Sequence, residues 1–105
     1  MPLQTQLIGQ RTLPRIHVVE SRWTMAYAAG LQDDNLKLLD TTQASIAVHP
    51  LFPVCLEWPS VLDSRALPGQ DCLTNEELAR GVHATHDLHL LKRLVPGQAY
   101  QTTAT

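Results

Sequence analysis

The sequence contains no long hydrophobic run. Its apolar stretches are a few residues each, so no segment is expected to span a bilayer. It has no excess of either charge. Eight Lys+Arg stand against ten Asp+Glu, a net charge of −2, which leaves no electrostatic footprint for nucleic acid or an anionic membrane. Cysteine is scarce. Cys55 and Cys72 form neither a metal-type nor a redox-type spacing, and a reducing, cytoplasmic setting is the default expectation. Met1 to Gln10 has no basic stretch ahead of an apolar one, so no secretory signal is expected. There is no internal repeat, phosphate-binding glycine loop, dinucleotide fingerprint or nucleophile elbow, and hence no reason to expect a cofactor. What is present is 105 residues, 44% apolar and 17% charged. That suffices for one globular domain and is too little for two. A chain of this size buries only about two-thirds of its unfolded surface, so modest stability is expected.

Local signals divide the chain. Leu3 to Val19 reads as an irregular or partly extended lead-in, with Pro14 breaking any helix and Ile16 to Val19 favouring a strand. Ser21 can cap a helix whose Trp23, Tyr27, Gly30 and Leu31 recur at spacings of three and four. That helix is apolar nearly all round, which predicts a central, buried element ending near Gly30. Asp33-Asp34-Asn35 forms a turn, and the stretch from Gln32 to Leu67 carries few regular signals. Pro50, Pro53 and Pro59 punctuate it, and Ala44 to Val48 fits either a short helix or a strand. Pro68-Gly69 marks a turn. Thr74 and Glu77 make a capping box for a short helix that Gly81 closes. Val82, Ala84, His86, Leu88 and Leu90 then alternate with more polar residues, the period of a strand. Val95-Pro96-Gly97-Gln98 fits a type II turn, and Ala99 to Thr105 a returning antiparallel strand.

Three segments are candidates for chemistry. His83, His86 and His89 suggest a metal, but on a strand His86 faces away from the other two. His83 and His89 would then lie about 20 Å apart at ~3.3 Å per residue. A zinc ion with ligands near 2 Å cannot hold both, so no metal site is expected. On that register His86 points toward the central helix, while His83 and His89 face the other side. Asp33-Asp34-Asn35 by itself is an ordinary polar turn, since these side chains mimic backbone turns. His49-Pro50-Leu51-Phe52-Pro53-Val54 by itself is a rigid loop that plugs the core with Phe52.

The order of these pieces is more informative than any one of them. A helix over Trp23 to Gly30 runs into Leu31-Gln32-Asp33-Asp34-Asn35-Leu36-Lys37-Leu38-Leu39-Asp40. The loop His49 to Val54 follows. Gly81-Val82-His83-Ala84-Thr85-His86-Asp87-Leu88 then leads to Lys92-Arg93-Leu94-Val95-Pro96-Gly97. From Gly9 to Thr105 the chain resembles the N-terminal hotdog domain of MaoC-like dehydratases, the family that includes (R)-specific enoyl-CoA hydratases. The resemblance implies an α+β hotdog fold, an antiparallel sheet wrapped around a central helix. Residues 1–105 would form one such domain, with its C-terminal strands missing.

Carried over by position, Asp33 matches the family's catalytic aspartate, Asn35 the asparagine two places on, and Asp40 the closing aspartate. Leu36 replaces the family's proline and Leu38 its catalytic histidine. Leucine cannot move a proton, so the Asp/His pair that activates water across an enoyl thioester is broken. The resemblance therefore implies an acyl-CoA or acyl-thioester-binding half of a 3-hydroxyacyl-thioester dehydratase (enoyl hydratase), catalytically incomplete alone. Leu51, Phe52, Val54, Trp58 and His86 would line its substrate tunnel. Its partner would be a second hotdog domain or a homodimer mate. Two alternatives stay open: a non-catalytic assembly module, and a stand-alone hydratase in which His49 replaces the missing base.

Overall fold

The structure is a computed structural model and describes residues 5–69 and 73–105; Cys72 and the first two residues of the lead-in, Leu3 and Gln4, lie outside that set. It is a mixed α+β arrangement. A strand, β1 (Arg15–Val18), is followed by helix α1 (Ser21–Gly30), a single helical turn α2 (Leu36–Leu39) and helix α3 (Pro53–Asp63). A short helix α4 (Asn75–Ala79) and strand β2 (Ala99–Thr102) complete it, with 3-10 turns at Thr5–Leu7 and Ser64–Ala66.

β1 and β2 pair antiparallel, with Arg15 opposite Thr102 and Val18 opposite Ala99. The pairing extends beyond the strands. Val19 N–H donates to the Gln98 carbonyl at 2.9 Å, Gly97 N–H to the Val19 carbonyl at 2.6 Å, and Thr12 N–H to the Ala104 carbonyl at 2.9 Å. The expected Pro96-Gly97 turn delivers β2 to this position. Gly97 has φ +92°, a left-handed value that the third place of a type II turn requires.

α3 lies where the proline-punctuated sequence suggests a loop. Pro53 stands at the first helical position, where its missing N–H would have no partner anyway. Pro59 lies inside and forfeits one backbone bond, a loss of about 3 kcal/mol in a helix interior. Packing offsets it: Pro53, Leu56 and Ser60 form a buried stripe at spacings of three and four. A side-chain chain fastens that stripe to the sheet, with Ser60 Oγ 2.9 Å from Thr102 Oγ1 and Thr102 Oγ1 3.1 Å from His17 Nε2. Arg15 and Asp63 close the other end as a two-bond ion pair, 2.5 and 2.9 Å. Arg15 holds the Asp63 carboxyl below its ordinary range, chiefly by hydrogen bonding.

The core is small. Val19, Phe52 and Leu56 form its centre, ringed by half-buried Tyr27, Val48, Cys55, Leu94 and Tyr100. Phe52 is fully buried and meets Trp23 and Tyr27 edge to face, with centroids 4.9 and 5.6 Å away. α1 spans the expected residues but is not wrapped on most sides. Only Thr24 and Ala28 on it are buried, and Glu20, not Ser21, occupies the capping position. The helix lies over one side of the core rather than through it.

The predicted strand over Val82 to Leu90 does not form. Alternation selects a face only when a neighbouring strand supplies the ladder. Here β1 and β2 pair with each other, and residues 81–90 have no regular structure. Val82, expected on an apolar face, is 85% exposed. The segment is held to α3 by side chains instead. His86 Nε2 lies 2.9 Å from Glu57 Oε2, and His83 meets Trp58 edge to face at 5.9 Å. His83 and His86 sit together, with rings 5.5 Å apart, so their expected division between opposite faces is reversed. His89 pairs with exposed Asp87. Ala44 to Val48 is neither helix nor strand; Ala47 N–H donates to the Lys37 carbonyl at 2.8 Å.

A typical folded monomer of this mass exposes about 5,900 Å² and has a radius of gyration near 13 Å. This chain exposes 8089 Å² and has a radius of gyration of 17.0 Å. Among the described residues, no helix is long and apolar enough to cross a membrane.

Candidate functional site

The end of α1 aims Asp33. Gln32 adopts φ +58°, its N–H donates to the Ala29 carbonyl at 2.9 Å, and Asp33 N–H donates to the Ala28 carbonyl at 3.0 Å. This is the paired bonding of a Schellman motif, with glutamine where glycine is usual. The Ala28 carbonyl that holds Asp33 belongs to a fully buried residue of the helix.

Polar side chains then build the next turn. Asp33 Oδ1 accepts from Asn35 N–H at 3.1 Å, and Asn35 Oδ1 accepts from Lys37 N–H at 3.0 Å, capping α2. Asp40 ends the turn. Its Oδ1 accepts from the Thr42 hydroxyl and N–H, and its Oδ2 from the Gln43 amide. These bonds, the Thr42 hydroxyl first, hold the Asp40 carboxyl below the usual carboxylate range.

His49 meets Asp33 across this turn. Its Nε2 lies 3.4 Å from Asp33 Oδ2, and its Nδ1 accepts from Leu51 N–H at 3.1 Å. The Leu51 donor fixes the neutral tautomer, with the proton on Nε2 facing the carboxylate. The ring also packs edge to face with Tyr27, centroids 5.8 Å apart. The Tyr27 hydroxyl donates to the Leu51 carbonyl at 3.3 Å, and burial pushes its pKa up. One loop, 49–51, is thereby fixed at three points.

Asp33, Asn35 and His49 line one cleft of about 480 Å³, within the range of small-molecule sites. Its apolar wall includes Leu38, Val48, Leu90 and Leu94. Leu38, at the position where the resemblance has a histidine, is buried in that wall. A second cavity of about 590 Å³ adjoins it, sharing Pro53, Leu90, Arg93 and Leu94 and continuing past Leu56, Leu88 and Tyr100.

The remaining residues expected at the tunnel lie elsewhere. Phe52 is in the core, Leu51 is half-exposed, and Val54 and Trp58 lie on α3. His86 faces Glu57, and none of these five lines the Asp33–His49 cleft. Lys37, Arg93 and Leu94 do line it and were not singled out from sequence. Their signal was slight: a Lys-Arg pair just ahead of the Pro96-Gly97 turn, and a lysine two residues beyond a capping asparagine. Among the described residues, no three His, Cys, Asp or Glu side chains gather closely enough to hold a metal ion.

No family model, curated protein or solved structure matches the chain.

Proposed function

We propose that this chain is an acyl-thioester-binding hotdog half of a MaoC-like 3-hydroxyacyl-thioester dehydratase, without independent hydratase activity. The observation that carries it is the approach of Asp33 Oδ2 and His49 Nε2, 3.4 Å apart in a cleft with an apolar wall. An enoyl thioester needs a dry apolar channel for its chain and polar groups near its carbonyl. The two adjoining cavities share Leu90 and Leu94 as apolar lining, which supports an acyl chain lying along them. The excess exposed surface supports a second domain or a second copy as partner, because obligate interfaces bury ~2,000–5,000 Å² in total.

The Asp33–His49 approach also favours the second reading, hydration with His49 as base. Chemistry weighs against it in this geometry. A base needs a free lone pair, and the one on the His49 ring is taken by Leu51 N–H. His49 can hold Asp33 in place, but it cannot take a proton from water without giving up that bond.

Calorimetric titration with crotonyl-CoA, together with the loss of enoyl-thioester absorbance, tests both readings. The expected result is binding without turnover, with binding weakened in Leu90→Glu, a change at a half-exposed cleft residue. No binding of crotonyl-CoA or longer enoyl-CoAs would overturn the proposal. Wild-type turnover that vanishes in His49→Ala would replace it with the His49 hydratase.

A further inference from the structure

Between α4 and β2 the chain crosses the molecule without backbone support. Among the described residues, no backbone N–H or carbonyl of residues 82–94 takes part in a hydrogen bond. Side chains hold this strap instead: His86 on Glu57, His83 on Trp58, and Leu94 against the core. From Val82 to Arg93 every residue is exposed except Leu88, which is half-buried. Near its end stands Lys92-Arg93, the one adjacent pair among the eight Lys and Arg residues of the sequence.

The other six basic residues are held differently. Arg15 lies in β1 and pairs with Asp63, Arg22 lies in α1, and Lys37 in α2. Arg65 is in a 3-10 turn, and Arg80 ends α4 with its N–H on the Glu77 carbonyl and its guanidinium on Glu76. Arg11 is exposed but precedes buried Thr12, whose N–H and hydroxyl both bond Ala104. Proteases grip a substrate as an added extended strand, through the backbone groups of consecutive residues. A peptide bond inside a helix, turn or ladder must first open locally, and it is cut in proportion to the open population. At Lys92-Arg93 no backbone bond has to open.

We infer that Lys92-Arg93 is a cleavage site for a protease whose specificity pocket carries a carboxylate for a basic side chain, and that the cut releases β2. Water adds across the peptide bond after Lys92 or Arg93, leaving a carboxylate on that residue and an amine on the next. The downstream piece, which carries β2, is then held by noncovalent contacts alone. These are the ladder of four residue pairs to β1, Leu94 and Tyr100 at the core, and the Thr102 hydroxyl between Ser60 and His17. A tethered strand re-pairs at high effective concentration, whereas a severed one bears the full entropy of association. On so small a core the cut dismantles the fold. The inference holds whatever the Asp33–His49 cleft binds.

The test is limited trypsin digestion of the folded full chain, with intact masses taken over time. A Glu-specific protease is the control, because Glu20 caps α1, Glu57 lies in α3, and Glu76 and Glu77 lie in α4. Each rate is scaled to that of the same protease on a short peptide. The first tryptic cut is expected after Lys92 or Arg93, about tenfold or more faster on that scale than any cut after glutamate. Lys92→Gln/Arg93→Gln should abolish this first cut and leave the urea midpoint unchanged. After the cut, size-exclusion chromatography should separate the piece carrying β2, and the far-ultraviolet circular dichroism of the folded chain should be lost. A first cut at any of the other six basic residues, or equal scaled rates for the two proteases, overturns the cleavage site. A cut chain whose pieces stay together with the folded signal intact overturns the release of β2. If the double variant does not fold, the order of cuts in the parent chain still decides the first point and chromatography the second.

Discussion

Replacing Phe52 by alanine should bring the fold to the edge of unfolding. The ring is fully buried, lies between Val19 and Leu56, and meets both Trp23 and Tyr27 edge to face. Truncating a buried phenylalanine to alanine costs ~3–5 kcal/mol, of which each edge-to-face contact supplies ~0.5–1.5. Domains of this length have about 5–15 kcal/mol to lose. A core this small puts the chain near the lower end, so Phe52→Ala should leave roughly 0–2 kcal/mol. Phe52→Leu, which keeps most of the volume, should cost about 1.5 kcal/mol. Urea unfolding at low concentration, followed by the fluorescence of Trp23 and Trp58 together and by far-ultraviolet circular dichroism, measures the change. Leu51→Ala, one residue away and half-exposed, is the control and should cost less than 1 kcal/mol. If Phe52→Ala unfolds within 1 kcal/mol of the parent, or Leu51→Ala costs as much, the core described here does not hold the molecule together.

Three other outcomes are expected. Gln32→Gly should stabilise by about 1 kcal/mol, because glycine bears no side-chain penalty at φ +58°; a lower urea midpoint in that variant would contradict the Schellman geometry. Asp40 and Asp63 have carboxyls held below the ordinary carboxylate range, so their contributions are fully present above that range. Those contributions are lost as pH falls through the lower folded values. Asp63→Asn should therefore flatten the acid limb of a stability–pH curve, and an unchanged limb would remove the Arg15 pair from the account. Finally, with Leu13, Val82 and Leu91 each more than four-fifths exposed, the isolated chain should self-associate. A monomer whose sedimentation is independent of concentration would count against that.

The legible features were those fixed by neighbours in sequence. The Thr74–Glu77 capping box forms as read, with Thr74 Oγ1 accepting from Glu77 N–H and Glu77 Oε2 from Thr74 N–H. The Pro96-Gly97 turn, the extended Ile16 segment and the returning strand after it also depend on local backbone preferences. α3 was hidden because two prolines outweigh periodicity by eye, although one sits where the helix loses nothing and the other is offset by packing. The alternation at Val82 to Leu90 misled for the opposite reason: a strand requires a partner, and partner supply is not written in the segment. At the site, Asp33 and Asn35 were found through their motif, and His49 only as an alternative. What brings His49 to Asp33 is the Tyr27 ring, a contact from a distant part of the chain that leaves no spacing to read, while the Leu51 N–H, only two residues on, fixes the imidazole locally.

The sheet joins segments near opposite ends of the sequence: His17 and Thr102, in side-chain contact across it, are 85 residues apart. Closing so long a loop costs entropy before any ladder bond repays it, and such topologies fold slowly. During synthesis, α1 and the capped turn at α4 can form as they emerge, yet β1 must wait for nearly the whole described chain before its partner exists. Through that interval Ile16 and Val18 sit on an unpaired edge, the kind of surface that other nascent chains and chaperones capture. The production of this protein should therefore respond more to translation rate and chaperone supply than its length suggests.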